Sequence, residues 1–335
     1  MNGAPGKALL WRGPLMTTTT ATSESGPGPL DTDAGVRLLS ILKSQGYHFI
    51  TTTPATHRTV LRRPGKALAS DARDVFGWSL PFAAQVLSPD LFAALRAAGG
   101  LREDALGWRS AYRVSSLGED LFLHSAFPPS AEDAVFFGPD TYRFARLLRQ
   151  VVGSGEVGRL VDIGTGSGAG AVVAARSARI ASFFLTDVNP VALATARINL
   201  AAAGLSADFQ LGSGLEAVAE PADLIIANPP FIAGDGGRTY RDGGDMIGAR
   251  LSLDWSLAAT AKLVPQGRFV LYTGSAIVGG VDALRQALTV GLDSATYALT
   301  YEELDPDIFG GQLSARDYEA VERIAAIGAV VTRRV

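Results

Sequence analysis

Apolar and polar positions follow two different rhythms along this chain. Up to about residue 135 the apolar residues recur at helical spacing. Val36, Leu39, Ile41 and Leu42 share one face of a segment that opens at Asp33, a candidate N-cap, and stops at Gly46. Two further segments, Asp71 to Val86 and Asp90 to Ala98, each open at an Asp and are expected to be helical. A hairpin is predicted next, with Tyr112 to Val114 and Leu121 to Phe127 joined across Leu117-Gly118 and ended by Pro128-Pro129. From about Gly138 short apolar runs alternate with helical stretches. Strands are expected at Leu160 to Ile163, Ile180 to Leu185, Asp223 to Ala227 and Arg268 to Tyr272. Helices are expected at Gly170 to Ala178, Pro190 to Ala203 and Val281 to Val290, and Ala295 to Thr300 with Ala329 to Arg333 as a closing antiparallel pair. Such alternation predicts a mostly parallel sheet flanked by helices, an α/β domain, preceded by a smaller, mainly helical domain with a hairpin linker.

The length of 335 residues accommodates two such domains. The expected boundaries are a leader over 1–32, an N-terminal substrate-recognition domain over 33–135 and a catalytic domain over 136–335. The leader reading rests on Thr17 to Thr20 and the Ser-Gly-Pro-Gly-Pro run at 25–29, which offer little to bury, and Met16 is a candidate start. With 47% hydrophobic and 19% charged residues the chain is neither fibrous nor wholly disordered. The absence of Cys removes disulfides and thiolate chemistry, and His48, His57 and His124 have no metal-ligand spacing, so no metal site is expected. No apolar run reaches 18 residues and no secretory signal core is visible, so no membrane association and a cytoplasmic location are expected.

The segment Leu160-Val161-Asp162-Ile163-Gly164-Thr165-Gly166-Ser167-Gly168-Ala169-Gly170 runs from a strand through a glycine-rich turn into a helix. Glycines admit close approach of a ligand to the backbone, and free amides at a helix start favour an anionic group. A dinucleotide site shares this pattern; a P-loop does not, because its Gly-Lys-Ser/Thr ending is missing. Asp162 would repel a pyrophosphate and suit an ammonium. Asp187, at the end of the next strand, is placed to accept both hydroxyls of a ribose. A ribose, an ammonium and a carboxylate together describe S-adenosyl-L-methionine better than a nicotinamide dinucleotide.

A second strand, Asp223 to Ala227, ends in Asn228-Pro229-Pro230-Phe231. These residues suit methylation of a planar nitrogen whose lone pair is delocalised. The side-chain oxygen of Asn228 and a backbone carbonyl, that of Pro229, can accept hydrogen bonds from an NH2 group and aim its lone pair. Two prolines stiffen the loop, and Phe231 is a candidate stacking surface for a planar acceptor.

With these motifs the chain resembles the class I S-adenosylmethionine-dependent methyltransferases, in the branch that uses Asn-Pro-Pro-aromatic. That branch includes the release-factor and ribosomal-protein glutamine methyltransferases and related ribosomal-RNA enzymes. The resemblance covers roughly residues 137 to 280, including the lead-in Phe137-Gly138-Pro139-Asp140-Thr141-Tyr142. It implies a Rossmann-like, seven-stranded sheet. It also implies cofactor contacts from Asp162, Gly164, Thr165, Gly166, Gly168, Asp187, Val188 and Asn228, with the acceptor at Asn228, Pro229, Pro230 and Phe231. Where relatives carry an acid for the adenine amine this chain has Gly212-Ser213-Gly214, which leaves Ser213, a backbone group or Asp208 for that contact.

Two surface features bear on the acceptor. The glycine-rich stretch 234–244 carries Arg238, Tyr240 and Arg241 and is long enough to cover a site. Between Asp33 and Asp71 stand Arg37, Lys43, Arg58, Arg62, Arg63 and Lys66 with no acid, against a net charge of −3 for the whole chain. This asymmetry favours a macromolecular acceptor, RNA or protein, over a small molecule, while the acids from Glu302 to Glu322 are an alternative complement within the fold. The expected reaction is N-methylation of a protein glutamine or a nucleic-acid base. The alternatives are a small-molecule methyltransferase, or a nucleotide-binding oxidoreductase or non-catalytic binding module built on the same glycine loop.

Overall fold

The computed structural model describes residues 30–129, 131–233, 243–244 and 246–334. Four short helices begin the chain: α1 (Thr32–Ser44), α2 (Pro54–Leu61), α3 (Ala72–Phe76) and α4 (Pro89–Ala97). Each has a side chain that accepts an orphan amide of its first turn, from Asp31, Thr53, Asp71 and Ser88 respectively. The cap of α1 is therefore Asp31, whose carboxylate accepts the Ala34 N–H at 2.8 Å, and Asp33 lies inside the first turn. The helix expected to run to Val86 ends at Phe76. Pro81 disfavours a helical Leu80, and Phe82 instead exchanges two backbone bonds with Trp108 at 2.7 and 2.9 Å. Two hairpins follow, β1 (Leu101–Asp104) with β2 (Gly107–Ser110), and β3 (Tyr112–Leu117) with β4 (Asp120–Ser125). The first hairpin and α2 carry polar or short patterns that gave no signal in the sequence.

The second half alternates as expected: α5 (Pro139–Val152), β5 (Glu156–Ile163), α6 (Ala169–Ser177), β6 (Arg179–Asp187), α7 (Pro190–Ala202), β7 (Asp208–Leu211) and β8 (Ala222–Ala227). Then come α8 (Arg250–Thr260), β9 (Leu263–Val278), β10 (Val281–Asp282), α9 (Ala283–Gly291), β11 (Tyr297–Asp305) and β12 (Arg323–Arg333). Seven strands lie in the order β11-β12-β9-β8-β5-β6-β7, with the two-residue β10 added beside β9. The pairs from β7 to β9 are parallel and those of β12 with β9 and β11 are antiparallel, giving a Rossmann-like, mostly parallel seven-stranded sheet.

Central strands of such a sheet are buried on both faces and need continuous apolar runs. Leu160, Leu224, Ile226, Val270 and Tyr272 point into one core, with α5 and α6 residues such as Phe144, Leu148 and Val172. Val161, Ile163, Ile225, Ala227, Phe269 and Leu271 alternate with them and fill the other core, with Leu284 and Leu288 of α9. Truncating one of these, for example Leu160→Ala, is expected to cost roughly 2–5 kcal/mol.

Residues 38–123 build a separate core that reaches the sheet domain through Ile198 of α7. Helix α1 approaches α7 closely there, since a Cβ on Gly35 would fall 2.6 Å from Ile198 Cδ1. Arg176 of α6 grips Asp120 with two bonds of 2.9 Å, and buried Asn199 exchanges side-chain bonds with both backbone groups of Leu123. Among the described residues no helix is long and apolar enough to cross a membrane.

Candidate active site

Strand order reverses at β5. The chain lays β6 and β7 on one side of it, then crosses to place β8 and β9 on the other, which opens a crevice at the carboxyl ends of β5 and β8. Ile163 is paired with both Thr186 and Ala227. The residues that follow, Gly164, Asp187 and Asn228, therefore leave the sheet side by side. Three segments widely separated in sequence meet here because of register alone.

The glycine loop is tightly laced. Gly164, Gly166 and Gly168 all take positive φ, at 64°, 54° and 75°. At Gly164 the requirement is also steric, because a Cβ would stand 2.8 Å from the Trp255 ring. Thr165 donates its N–H to the Thr186 carbonyl at 3.0 Å and its hydroxyl to Asp162 Oδ2 at 2.8 Å. Asn199 donates from Nδ2 to the Ser167 carbonyl at 2.8 Å, which ties the loop to α7 and, through Leu123, to β4. Space stays open in front of Gly166, where an added Cβ would meet nothing within 4 Å.

Two carboxylates face this loop. Asp187 accepts the Gly166 N–H through Oδ2 and the Asn189 N–H through Oδ1, both at 2.9 Å. Each oxygen keeps a further lone pair for a ligand hydroxyl. Burial raises the Asp187 pKa, and the neighbouring backbone N–H groups oppose the rise. Asp162 lies beneath the loop, 2% exposed. Burial pushes its pKa up from 3.8 to about 7 and the charge of Asp187 adds to this, while hydrogen bonds from Thr165 and Ala171 hold it down. A cation near this pair would relieve both effects.

Val188 is 49% exposed beside Asp187, an apolar surface at the rim. Ser213 is exposed on the loop after β7, which is fastened by Gly212 N–H donating to the Asp187 carbonyl at 3.0 Å. Trp255 reaches this loop as well, since a Cβ on Gly214 would fall 2.7 Å from its Nε1. One indole thus buttresses both the glycine loop and the Ser213 loop. In the sequence the signal for its place is the pair of glycines it faces, Gly164 and Gly214.

At the end of β8, Asn228 is half-buried, Pro229 buried and Pro230 half-buried. Phe231, the candidate stacking surface, is buried. Its ring packs on Gly274, where a Cβ would lie 2.4 Å away, and meets Phe309 edge-on at 5.5 Å. The ring forms a wall of the crevice. Behind it, buried Asp140 of the Phe137 to Tyr142 lead-in accepts the Tyr272 hydroxyl at 2.7 Å, and burial raises its pKa. Tyr272 follows Leu271, the partner of Ala227, so this bond ties the start of α5 to β9 at the level where β8 ends.

Other sequence candidates fall elsewhere. Arg238, Tyr240 and Arg241 lie outside the described residues. Lys66 pairs with Asp74 at 2.5 Å, and Arg58, Arg62 and Arg63 are exposed on and after α2. Glu303 and Asp305 pair with Arg323 and Arg143, within the second half of the chain. His57 and His124 are buried among aromatic rings, and among the described residues no group of three or more His, Cys, Asp or Glu could hold a metal ion.

Comparison with known proteins agrees with this geometry. Residues 132–249 match the family model of the methyltransferase small domain. The release factor glutamine methyltransferase of Cereibacter sphaeroides is 34% identical over 143 residues, 38% of this chain and 51% of that protein. The ribosomal protein L11 methyltransferase of Symbiobacterium thermophilum is 30% identical over 200 residues, 55% of this chain and 58% of that one. The ribosomal RNA small subunit methyltransferase C of Ectopseudomonas mendocina is 34% identical over 120 residues, 31% of this chain and 35% of that one. The chain thus spans about half the length, or less, of these curated relatives.

Proposed function

We propose that this protein, whose residues 132–249 match the methyltransferase small domain, transfers a methyl group from S-adenosyl-L-methionine to a planar nitrogen. The acceptor is an amide or exocyclic amine on a macromolecule, a protein glutamine or an RNA or DNA base. The observation that carries this reading is the pairing of Ile163 with Ala227, which sends the glycine loop and Asn228 out of the sheet as neighbours.

The residues present fit S-adenosyl-L-methionine. Asp187 offers spare lone pairs for the two ribose hydroxyls, and the open face of Gly166 admits close approach of the methionine portion to the loop. The buried Asp162 and Asp187 together favour its ammonium, and exposed Val188 gives an apolar face for the adenine. Ser213, exposed on the loop after β7, would be a hydrogen-bonding candidate for the adenine amine. When bound, the cofactor supplies an electrophilic methyl group on sulfur.

The chain's own work is orientation. Asn228 Oδ1 and the Pro229 carbonyl each accept one N–H of the acceptor NH2, which fixes the nitrogen and directs its lone pair away from the plane. Pro229 and Pro230 limit the backbone freedom of the loop, so less ordering is needed when the acceptor arrives. Phe231 closes one side of the crevice and excludes water there.

The names of the relatives point to protein glutamine and ribosomal RNA as acceptor types. The exposed Arg58, Arg62 and Arg63 give the N-terminal half a basic surface suited to a large anionic partner. The test is transfer of tritiated methyl from S-adenosyl-L-methionine into an extract of cells lacking the protein, followed by protease and nuclease digestion in parallel. Label released by either enzyme supports the reading and identifies the acceptor class. Label confined to small molecules, or none, overturns it.

A further inference from the structure

The acceptor loop is held from a part of the chain about eighty residues further on. The connection 306–322 between β11 and β12 folds back over the end of β8, with Ile308, Tyr318 and Val321 buried in the same core as Phe231 and Ile232. Phe309 takes φ 55° and ψ 30°, a left-handed conformation that is unfavourable for a bulky side chain and persists only where the surroundings impose it. Its ring is edge-on to Phe231 at 5.5 Å. Gly274 has no side chain to separate β9 from the Phe231 ring, so that ring is wedged between a strand backbone and Phe309. Nine residues beyond Phe309, Tyr318 is 1% exposed, and its hydroxyl accepts the Ala233 N–H at 2.7 Å.

Residues 231 and 233 are thus each fastened by one residue of the connection, and Asn228 lies between this clamp and the last paired residue of β8. An error in the path of residues 229–231 would pass directly to the Asn228 side chain, since no regular structure intervenes. We propose that Phe309 and Tyr318 are positioning residues for the acceptor, and that the β11–β12 connection determines where Asn228 and Phe231 hold the acceptor nitrogen. This inference rests on the methyl-transfer reading. It adds that the strained backbone at Phe309 is kept for the placement of its ring, since a glycine at 309 would satisfy the backbone with less strain.

The test uses the full chain, tritiated S-adenosyl-L-methionine and the same cell extract as acceptor source, with Phe309→Gly, Phe309→Tyr and Tyr318→Phe. Phe309→Gly removes the ring and relieves the left-handed strain. Its transfer rate at saturating extract is expected to fall roughly ten- to hundredfold, while the concentration of S-adenosyl-L-methionine at half-maximal rate stays within about twofold. Phe309→Tyr keeps the ring and is expected to retain activity within about threefold. Amide hydrogen exchange over 228–233, which needs no turnover, is expected to accelerate in Phe309→Gly, and at Ala233 in Tyr318→Phe. Faster exchange with an unchanged transfer rate would make the clamp purely structural and overturn the proposal, as would unchanged exchange in both variants. If Phe309→Gly lost its folding transition, Tyr318→Phe carries the same test with the same two outcomes. An inactive wild type in every extract would instead overturn the methyl-transfer reading, and the proposal with it.

Discussion

The two loops that meet at the crevice are stabilised in different ways. The glycine loop is held mainly from nearby: Thr165 bonds Asp162 three residues away, Gly166 bonds Asp187 21 away, and Asn199 bonds Ser167 32 away. The acceptor loop is held from afar, with Ala233 bonded to Tyr318 85 residues on and Phe231 packed on Gly274 and Phe309. The cofactor side is laced mainly by the strands and helices that flank it, with Trp255 as a distant buttress, whereas the acceptor side, besides the bond from the Gly243 N–H to the Ile232 carbonyl, is finished by a distant connection. One unit can stay constant while the other is re-shaped for a different acceptor.

The largest effect is expected where the cofactor loop has no slack. Gly164→Val would place a side chain at φ 64° and drive Cβ into Trp255. The conformation alone costs roughly 1–2 kcal/mol, about five- to thirtyfold, and the clash with the indole adds to it, so affinity for S-adenosyl-L-methionine should fall about a hundredfold or more by calorimetry. Unchanged affinity would mean the loop yields more than its lacing allows. Asp187→Ala should be next. It removes two bonds to backbone N–H groups and the acceptor for the ribose, a loss of roughly 2–3 kcal/mol, or thirty- to a hundredfold in affinity. Retention of tight binding would place the ribose elsewhere.

A further effect is on pH dependence. Asp162 has its pKa raised by burial from 3.8 to about 7 in the fold, so the folded state holds a proton that the unfolded state has lost above pH 4. Its contribution to stability is present below about pH 4 and is lost as pH rises to about 7, at up to about 1.4 kcal/mol per pH unit. Thermal melting of the ligand-free protein should therefore decline across this window, and Asp162→Asn should flatten the decline. Equal slopes in the two proteins would show that Asp162 is ionised in the fold.

This contrast explains what was legible in the sequence. The parallel order, the glycine loop, Asp187 and the Asn228 tetrad could be read because each is a local pattern of strand, turn and helix with its own spacing. Helix ends drifted where a neighbour competed, as with Asp31 over Asp33 as the cap of α1, and with Phe82 drawn into a bridge to Trp108. The roles of Trp255, Asn199, Phe309 and Tyr318 left no local trace, because an indole, an amide or an aromatic ring in a helix or connection is ordinary until the fold sets it against a loop. Phe231 illustrates the limit: its motif marked the site, but Gly274 and Phe309 decide what its ring can do.

The central claim is that Asn228, for which the resemblance implies contacts to both cofactor and acceptor, does its work on the acceptor nitrogen and adds little to cofactor affinity. The most direct measurement is Asn228→Ala assayed twice, for S-adenosyl-L-methionine affinity by calorimetry and for transfer of tritiated methyl into the extract. The predicted result is affinity within about twofold of the parent and a transfer rate lower by on the order of a hundred- to a thousandfold. Transfer at the parental rate, or a loss explained entirely by weaker cofactor binding, would contradict it.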